Sequence, residues 1–272
     1  MDLGFGGKKV LITGASQGIG AATARIMGAE GADLILVARN IERLEETRRS
    51  ILETSDVSVQ IASHDLSRVE EIDRLAEQHP AIDVLVNNAG AVPGGSLFDV
   101  SDERWRAGWD SKVFAYIHMC RRYYPLMQSR GGGVIVNVIG TGSLRKEPAY
   151  LCGGMANAAL DFLTQTLGGS SHKDGIRVVG IAPGPTHTER FRKITAARGL
   201  DPANMADKPF GRLAHPEEIG NLIAFAASGR SSYMSGTIIV VDGGASVGKY
   251  PNEASIPKAK DGTPKLCIGD TS

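Results

Sequence analysis

Short apolar runs rich in Val, Ile and Leu alternate along this chain with longer stretches in which apolar residues recur at helical spacing. The runs are KVLIT at 9–13, DLILVA at 33–38, VSVQIA at 57–62, IDVLVN at 82–87, GVIVNV at 133–138, IRVVGI at 176–181 and TIIVVD at 237–242. The helical pattern covers 18–30, 41–54, 67–78, 101–128, 149–170 and 215–227. Strands that are almost continuously apolar must be covered on both faces, and helical crossovers join strands in parallel. The pattern therefore predicts an α/β fold: a doubly wound, mostly parallel, seven-stranded sheet with helices on both faces. Ligands of such sheets bind outside the carboxyl ends of the strands, so the residues just after each strand are the ones to read.

Two stretches break the rhythm. Residues 185–209 are polar, contain Pro and Gly, and are read as a lid over a substrate. Residues 248–272 are rich in Pro, Gly and Lys and read as an irregular tail after one domain spanning 1–247.

Composition removes several function classes. Thirty basic and thirty acidic residues cancel, which leaves no global field to draw in nucleic acid or an anionic membrane. No apolar run reaches the ~20 residues needed to span a bilayer. The first ten residues, MDLGFGGKKV, lack the apolar core of a secretory signal. Cys120, Cys152 and Cys267 are too far apart for a metal knuckle and odd in number, which fits a reducing cytoplasm and implies no metal site.

The first strand runs into TGASQGIG, with Gly14, Gly18 and Gly20 opening a helix. Glycines let backbone N–H groups, here from Ser16 to Gly20 through Gln17 and Ile19, approach a pyrophosphate seated on the helix N-terminus. His64-Asp65-Leu66 ends the third strand, Asn87-Asn88-Ala89-Gly90 the fourth, Pro183-Gly184 the sixth, and VVDGG at 240–244 closes the last. With this ordered set the chain resembles the short-chain dehydrogenase/reductase family along nearly its whole length. The resemblance implies a Rossmann-type fold and a nicotinamide cofactor. Asp65 and Leu66 would meet the adenine, and Asn87, Ala89 and Gly90 would line the cleft. Pro183 and Gly184 would flank the nicotinamide, with Thr186 and Thr188 holding its carboxamide. It also implies a homodimer or homotetramer formed through the two long helices at 101–128 and 149–170.

Cofactor choice is read after the second strand. An acidic residue there would bind the ribose hydroxyls of NAD(H), but this chain has Ala38, Arg39 and Asn40. A guanidinium without a carboxylate suits a 2′-phosphate, so NADP(H) is favoured. Gln17, at a place often basic in NADP-using relatives, withholds a second cation.

The family exchanges the substrate proton through Ser-x12-Tyr-x3-Lys and an upstream Asn, the Tyr acting as acid/base beside the ammonium. Val134 to Val138 anchors the alignment on one side and Ala158-Ala159-Leu160 on the other. The Ser position then falls on Gly140, the Tyr position on Gly153 and the Lys position on Asn157, while the Asn position, reckoned from Trp105, falls on Lys112. All four are replaced. Two glycines imply a larger pocket over the nicotinamide. Lys112 is placed to reach the space vacated at Asn157, or else to reach solvent or pair with Asp110. Tyr150 is a displaced acid/base candidate, and Ser143 is a candidate for the missing hydroxyl. His187, Met155 and Cys152 read as surface or pocket residues.

Three functions fit these residues. The first is an NADP(H)-binding oxidoreductase with an altered proton relay, acting on an activated carbonyl, enone or imine. The second is non-redox lyase, isomerase or cyclase chemistry in the same cleft. The third is a catalytically silent NADP(H)-binding regulatory protein.

Overall fold

The computed structural model describes residues 2–197 and 209–247; the expected tail and positions 198–208 lie outside the described residues. Seven strands form one sheet: β1 (Lys9–Thr13), β2 (Asp33–Ala38), β3 (Val59–Ser63), β4 (Val84–Asn87), β5 (Gly133–Val138), β6 (Ile176–Pro183) and β7 (Ile238–Val241). Their order is β3-β2-β1-β4-β5-β6-β7, and every pairing is parallel. The doubly wound Rossmann-type sheet is as the pattern predicts. The chain leaves β1 towards one edge and returns at β4 to build towards the other, so the crevice opens at the carboxyl ends of these two neighbours.

The helices that cover the faces are α1 (Gly18–Ala29), α2 (Ile41–Leu52), α3 (Val69–Gln78), α4 (Asp102–Trp109), α5 (Ala115–Gln128), α6 (Gly142–Arg145), α7 (Leu151–Ser170), α8 (Glu189–Ala197) and α9 (Pro216–Ala227). Successive strand residues point to opposite faces. Val10, Ile12, Leu34 and Leu36 accordingly pack against Met27 of α1 and Ile219 and Ile223 of α9. Leu11, Ile35, Leu85 and Ile135 pack on the other side against Ile72 of α3 and Met119 and Tyr123 of α5. The central strands are largely apolar because helices cover both of their faces.

One expectation is corrected and two elements are added. The helix expected over 101–128 is interrupted between α4 and α5 by a π turn, Asp110–Phe114, in which the Ala115 N–H donates to the Asp110 carbonyl five residues back. The extra residue turns Lys112 and Val113 inward, and both are buried. The segment 185–209, read as a lid, contains α8, whose start is fixed by Thr188 Oγ1 accepting from Phe191 N–H at 3.1 Å. The short α6, which the apolar pattern does not reveal, lies between β5 and α7.

Candidate active site

The crevice begins at the turn between β1 and α1. Thr13 Oγ1 accepts from the backbone N–H groups of Asn88 and Ala89 at 2.8 and 2.9 Å, which ties the end of β1 to the end of β4. Asn88 Nδ2 donates to the Thr13 carbonyl at 3.0 Å and braces the same corner. Gly20 lies so close beneath this turn that a Cβ would overlap the Gly14 carbonyl and come within 2.6 Å of Asn88 Nδ2. No side chain caps the N-terminus of α1, and its first turn holds no acidic residue. Uncapped N–H groups on a glycine turn form a seat for an anion, and they fit the pyrophosphate of a dinucleotide.

Cations and polar groups surround the rest of that cleft. Arg39 is exposed at the end of β2. Asn40 is used locally: its Oδ1 accepts from Arg43 N–H at 2.7 Å and caps α2. Asp65 is opposed by partial burial, yet hydrogen bonds from Ser67 and the charges of Arg39 and Arg68 hold its carboxyl below the usual range. Asn87 is fully buried instead of facing the cleft, donating to Asn137 Oδ1 at 3.0 Å and contacting Cys120 Sγ at 3.7 Å. Ala89 and Gly90 follow it after the end of β4. Thr186 Oγ1 donates to the Gly184 carbonyl at 3.0 Å, and the Thr188 hydroxyl is committed to α8.

The second half of the site is assembled by β5, the π turn and α7. Gly140, Gly153, Asn157 and Lys112 come together here. The stem of Lys112 lies against the backbone of Gly90. Its Nζ donates to the Ile139 carbonyl at 2.5 Å and to Asn157 Oδ1 at 2.7 Å. Lys112 is only 7 % exposed, so neither a solvent-facing ammonium nor an Asp110 pair describes it. Burial, helped by the Arg190 guanidinium and opposed by Asp161, brings the Lys112 ammonium down to about 7. A neutral amine still donates two hydrogen bonds, which matches its two acceptors.

Tyr150 precedes α7 directly, and its ring lies over Gly153: a Cβ on Gly153 would overlap the phenol carbons. The same ring passes close to Gly142, where a Cβ would meet Cε1 at 3.0 Å and Asn157 Nδ2 at 2.7 Å. The expectation of an enlarged pocket is therefore corrected, because Tyr150 occupies the volume that Gly153 leaves free. Ser143 on α6 stands by Asp161, one turn beyond Asn157 on α7. Ser143 Oγ and Asp161 Oδ1 are buried, and neither completes a well-formed hydrogen bond. Burial raises the Asp161 carboxyl, against the pull of Ser143 and Lys112.

His187 is exposed. Burial pushes the Cys120 thiol up to about 12, and it raises that of Cys152 as well, so neither is a ready nucleophile. Among the described residues no group of three His, Cys, Asp or Glu side chains could hold a metal ion, and no helix is long and apolar enough to cross a membrane.

A family model described as enoyl-(acyl carrier protein) reductase matches residues 14–246. The oxidoreductase UcpA of Escherichia coli (strain K12) is 34% identical over 250 residues, covering 89% of this chain and 95% of that protein. The chain belongs to the short-chain dehydrogenase/reductase family. Among solved structures, L-sorbose reductase from Gluconobacter frateurii, complexed with NADPH and L-sorbose, shares 33% identity with a TM-score of 0.83, covering 92% of this chain and all of that one. A 7α-hydroxysteroid dehydrogenase complexed with NADH and a 7-oxo bile acid is 27% identical with a TM-score of 0.83, covering 89% and 96%. These two structures hold different nicotinamide cofactors, NADPH in one and NADH in the other.

Three site residues escape a reading of the sequence. Asp161 lies four positions after Asn157, a spacing that places both on one face of α7, so a helix-face search could have found it. Arg43 lies three positions after the Asn40 cap. Arg190 donates to the Gly90 carbonyl from a hundred positions away, and no local pattern signals that.

Proposed function

We propose that this chain is an NADP(H)-dependent oxidoreductase with a rebuilt proton-exchange site, acting on an activated carbonyl, enone or imine. The observation that carries the reading is the 2.7 Å bond from Lys112 Nζ to Asn157 Oδ1. In the family's terms an amide stands at the lysine position and a lysine at the amide position, so the pair is kept with its members exchanged. Tyr150, seated over Gly153, replaces the missing phenol from one turn earlier. The usual quartet is degenerate in sequence, but its ammonium, amide and phenol chemistry is present from other positions.

The anion seat at α1, with Arg39 and no acidic residue after β2, supports NADP(H) in preference to NAD(H). When bound, the nicotinamide supplies or accepts the hydride. The work left to the protein is to orient the substrate oxygen and exchange one proton with it. Tyr150 is the group placed to donate that proton, and Lys112, poised near neutrality, stabilises the charge that results. Ser143, whose hydroxyl is buried beside Asp161, is not given a direct part in the exchange. A substrate that is already polarised needs less acid assistance, which suits a site without the usual serine.

We place the protein in the cytoplasm as a homo-oligomer taking a small-molecule substrate; the unpaired, buried Cys120 and Cys152 fit a reducing compartment. The test begins with nucleotide-free protein titrated with NADPH and NADH by nicotinamide fluorescence, followed by a screen of enones and activated carbonyls. NADPH consumption that slows ~10²–10⁴-fold in Tyr150→Phe supports the reading. Failure to bind either nucleotide would sink it, and substrate conversion without nicotinamide oxidation would favour lyase or isomerase chemistry.

A further inference from the structure

The neutral Gln17 leaves one place in the nucleotide cleft without the cation that a 2′-phosphate would want. The structure brings one there from α2. Asn40 accepts from the Arg43 N–H at 2.7 Å and fixes the first turn of that helix. The Arg43 guanidinium then reaches across to the Gly-rich turn, where Nη1 donates to Gln17 Oε1. The same nitrogen donates to Glu189 Oε2 at 3.1 Å, an ion pair that spans 146 positions and joins α2 to the first residue of α8. Nε and Nη2 bond to none of the described residues.

Glu189 has a second cation of its own, because Lys193 Nζ lies 2.7 Å from Oε1 on the next turn of α8. Lys193 and Arg43 together hold the Glu189 carboxyl below its usual range, so it stays charged at neutral pH. Arg43 is therefore occupied in this arrangement, by a carboxylate that can let it go without losing all compensation.

Resting on the NADP(H) reading above, we infer that Arg43 is the second cation for the 2′-phosphate, and that Glu189 competes with that phosphate for it. A phosphate dianion offers more charge than one carboxylate and can accept from two guanidinium nitrogens at once. Binding of NADP(H) thus exchanges Glu189 for phosphate at Arg43 and leaves Glu189 with Lys193. NADH presents a hydroxyl there, has nothing to exchange, and leaves α2 and α8 joined. Gln17 is then a bracket that aims Arg43, which explains why an uncharged residue serves at that place.

The test needs only nucleotide. Wild type, Arg43→Gln and Glu189→Gln are titrated with NADPH and with NADH by nicotinamide fluorescence. All these side chains are partly exposed on the surface, and circular dichroism confirms that each variant is folded. Arg43→Gln is expected to weaken NADPH about tenfold or more, with NADH changed less than about twofold. Glu189→Gln is expected to tighten NADPH by roughly threefold to tenfold, again with little effect on NADH. Equal losses for both nucleotides in Arg43→Gln, or unchanged NADPH affinity in Glu189→Gln, would overturn the inference. A wild type that binds NADH as well as NADPH would instead remove the cofactor reading beneath it. A preference for NADPH that survives Arg43→Gln removes the inference alone.

Discussion

Lys112 and Asn157 are bonded side chain to side chain at 2.7 Å in the interior of the cleft, one from the π turn and the other from α7. The π turn makes the pair possible. A regular helix through Asp110–Phe114 would place Lys112 at another angle, and its ammonium would not meet both Ile139 and Asn157. An interrupted helix here is the backbone condition for the chemistry proposed.

Burial of Lys112 makes stability depend on pH with a defined sign. Its amine titrates near 10.5 when unfolded and about 7 when folded, so between those values the unfolded chain holds the extra proton. Stability therefore rises as pH goes from about 7 to 10.5, falls back as pH drops through that window, and is flat in this respect below it. Lys112→Met should remove that dependence. The difference in Tm between wild type and Lys112→Met, measured at several pH values, should shift in favour of wild type on going alkaline. A pH-independent difference would show that the folded lysine titrates normally.

Gly153 and Tyr150 should behave as one unit. Gly153→Ala drives a methyl group into the Tyr150 ring, and overpacking of this kind costs about 1–3 kcal/mol. Removing the ring in Tyr150→Ala should lose packing but accept the methyl, so the double variant should be more stable than the sum of the two single changes predicts. Urea unfolding of all four species gives the coupling. Strict additivity would mean that the ring does not rest on Gly153.

The sheet and most helices were legible because strands buried on both faces are apolar without a break, and because turn glycines and strand-end motifs lie close together in sequence. The expectation that the family's four positions fall on Gly140, Gly153, Asn157 and Lys112 rests on anchors in the sequence, and the structure brings these four residues together. Three features were not legible. The π turn leaves the helical spacing of apolar residues almost unchanged, so nothing in 101–128 marks it. The seat of Tyr150 is a negative feature, a missing Cβ on Gly153, which reads as empty space until a ring is found in it. The reach of Arg190 to Gly90 and of Glu189 to Arg43 depends on where α8 docks, and that is a long-range outcome of packing.

The end of β4 is held by a buried chain of amides: Asn87 Nδ2 to Asn137 Oδ1 at 3.0 Å, and Asn137 Nδ2 to Thr164 Oγ1 at 2.9 Å. Asn87 and Asn137 are fully buried, so cutting the chain strands polar groups away from water. Asn137→Ala should cost about 2–4 kcal/mol, combining a lost hydrogen bond on each side with a small cavity. Denaturant unfolding measures the cost directly. Nucleotide affinity should change little, since Asn87 faces the interior; a specific collapse of NADPH binding in a folded Asn137→Ala protein would show that Asn87 does reach the cleft.

Asp161 should set the pH at which Lys112 works. It is the nearby negative charge that partly offsets burial and the Arg190 guanidinium, and both of those lower the Lys112 ammonium. Asp161→Asn keeps the shape and deletes the charge, so the amine should lose its proton at lower pH than in wild type, below about 7. A reaction that needs protonated Lys112 would then fail earlier as pH rises, and the alkaline limb of kcat/KM should move to more acid pH. The same substitution should flatten the contribution of Ser143, whose hydroxyl faces that carboxyl. A loss of rate with no movement of the limb would assign Asp161 a packing role only, and the charge on Lys112 would then have to be set by burial and Arg190 alone.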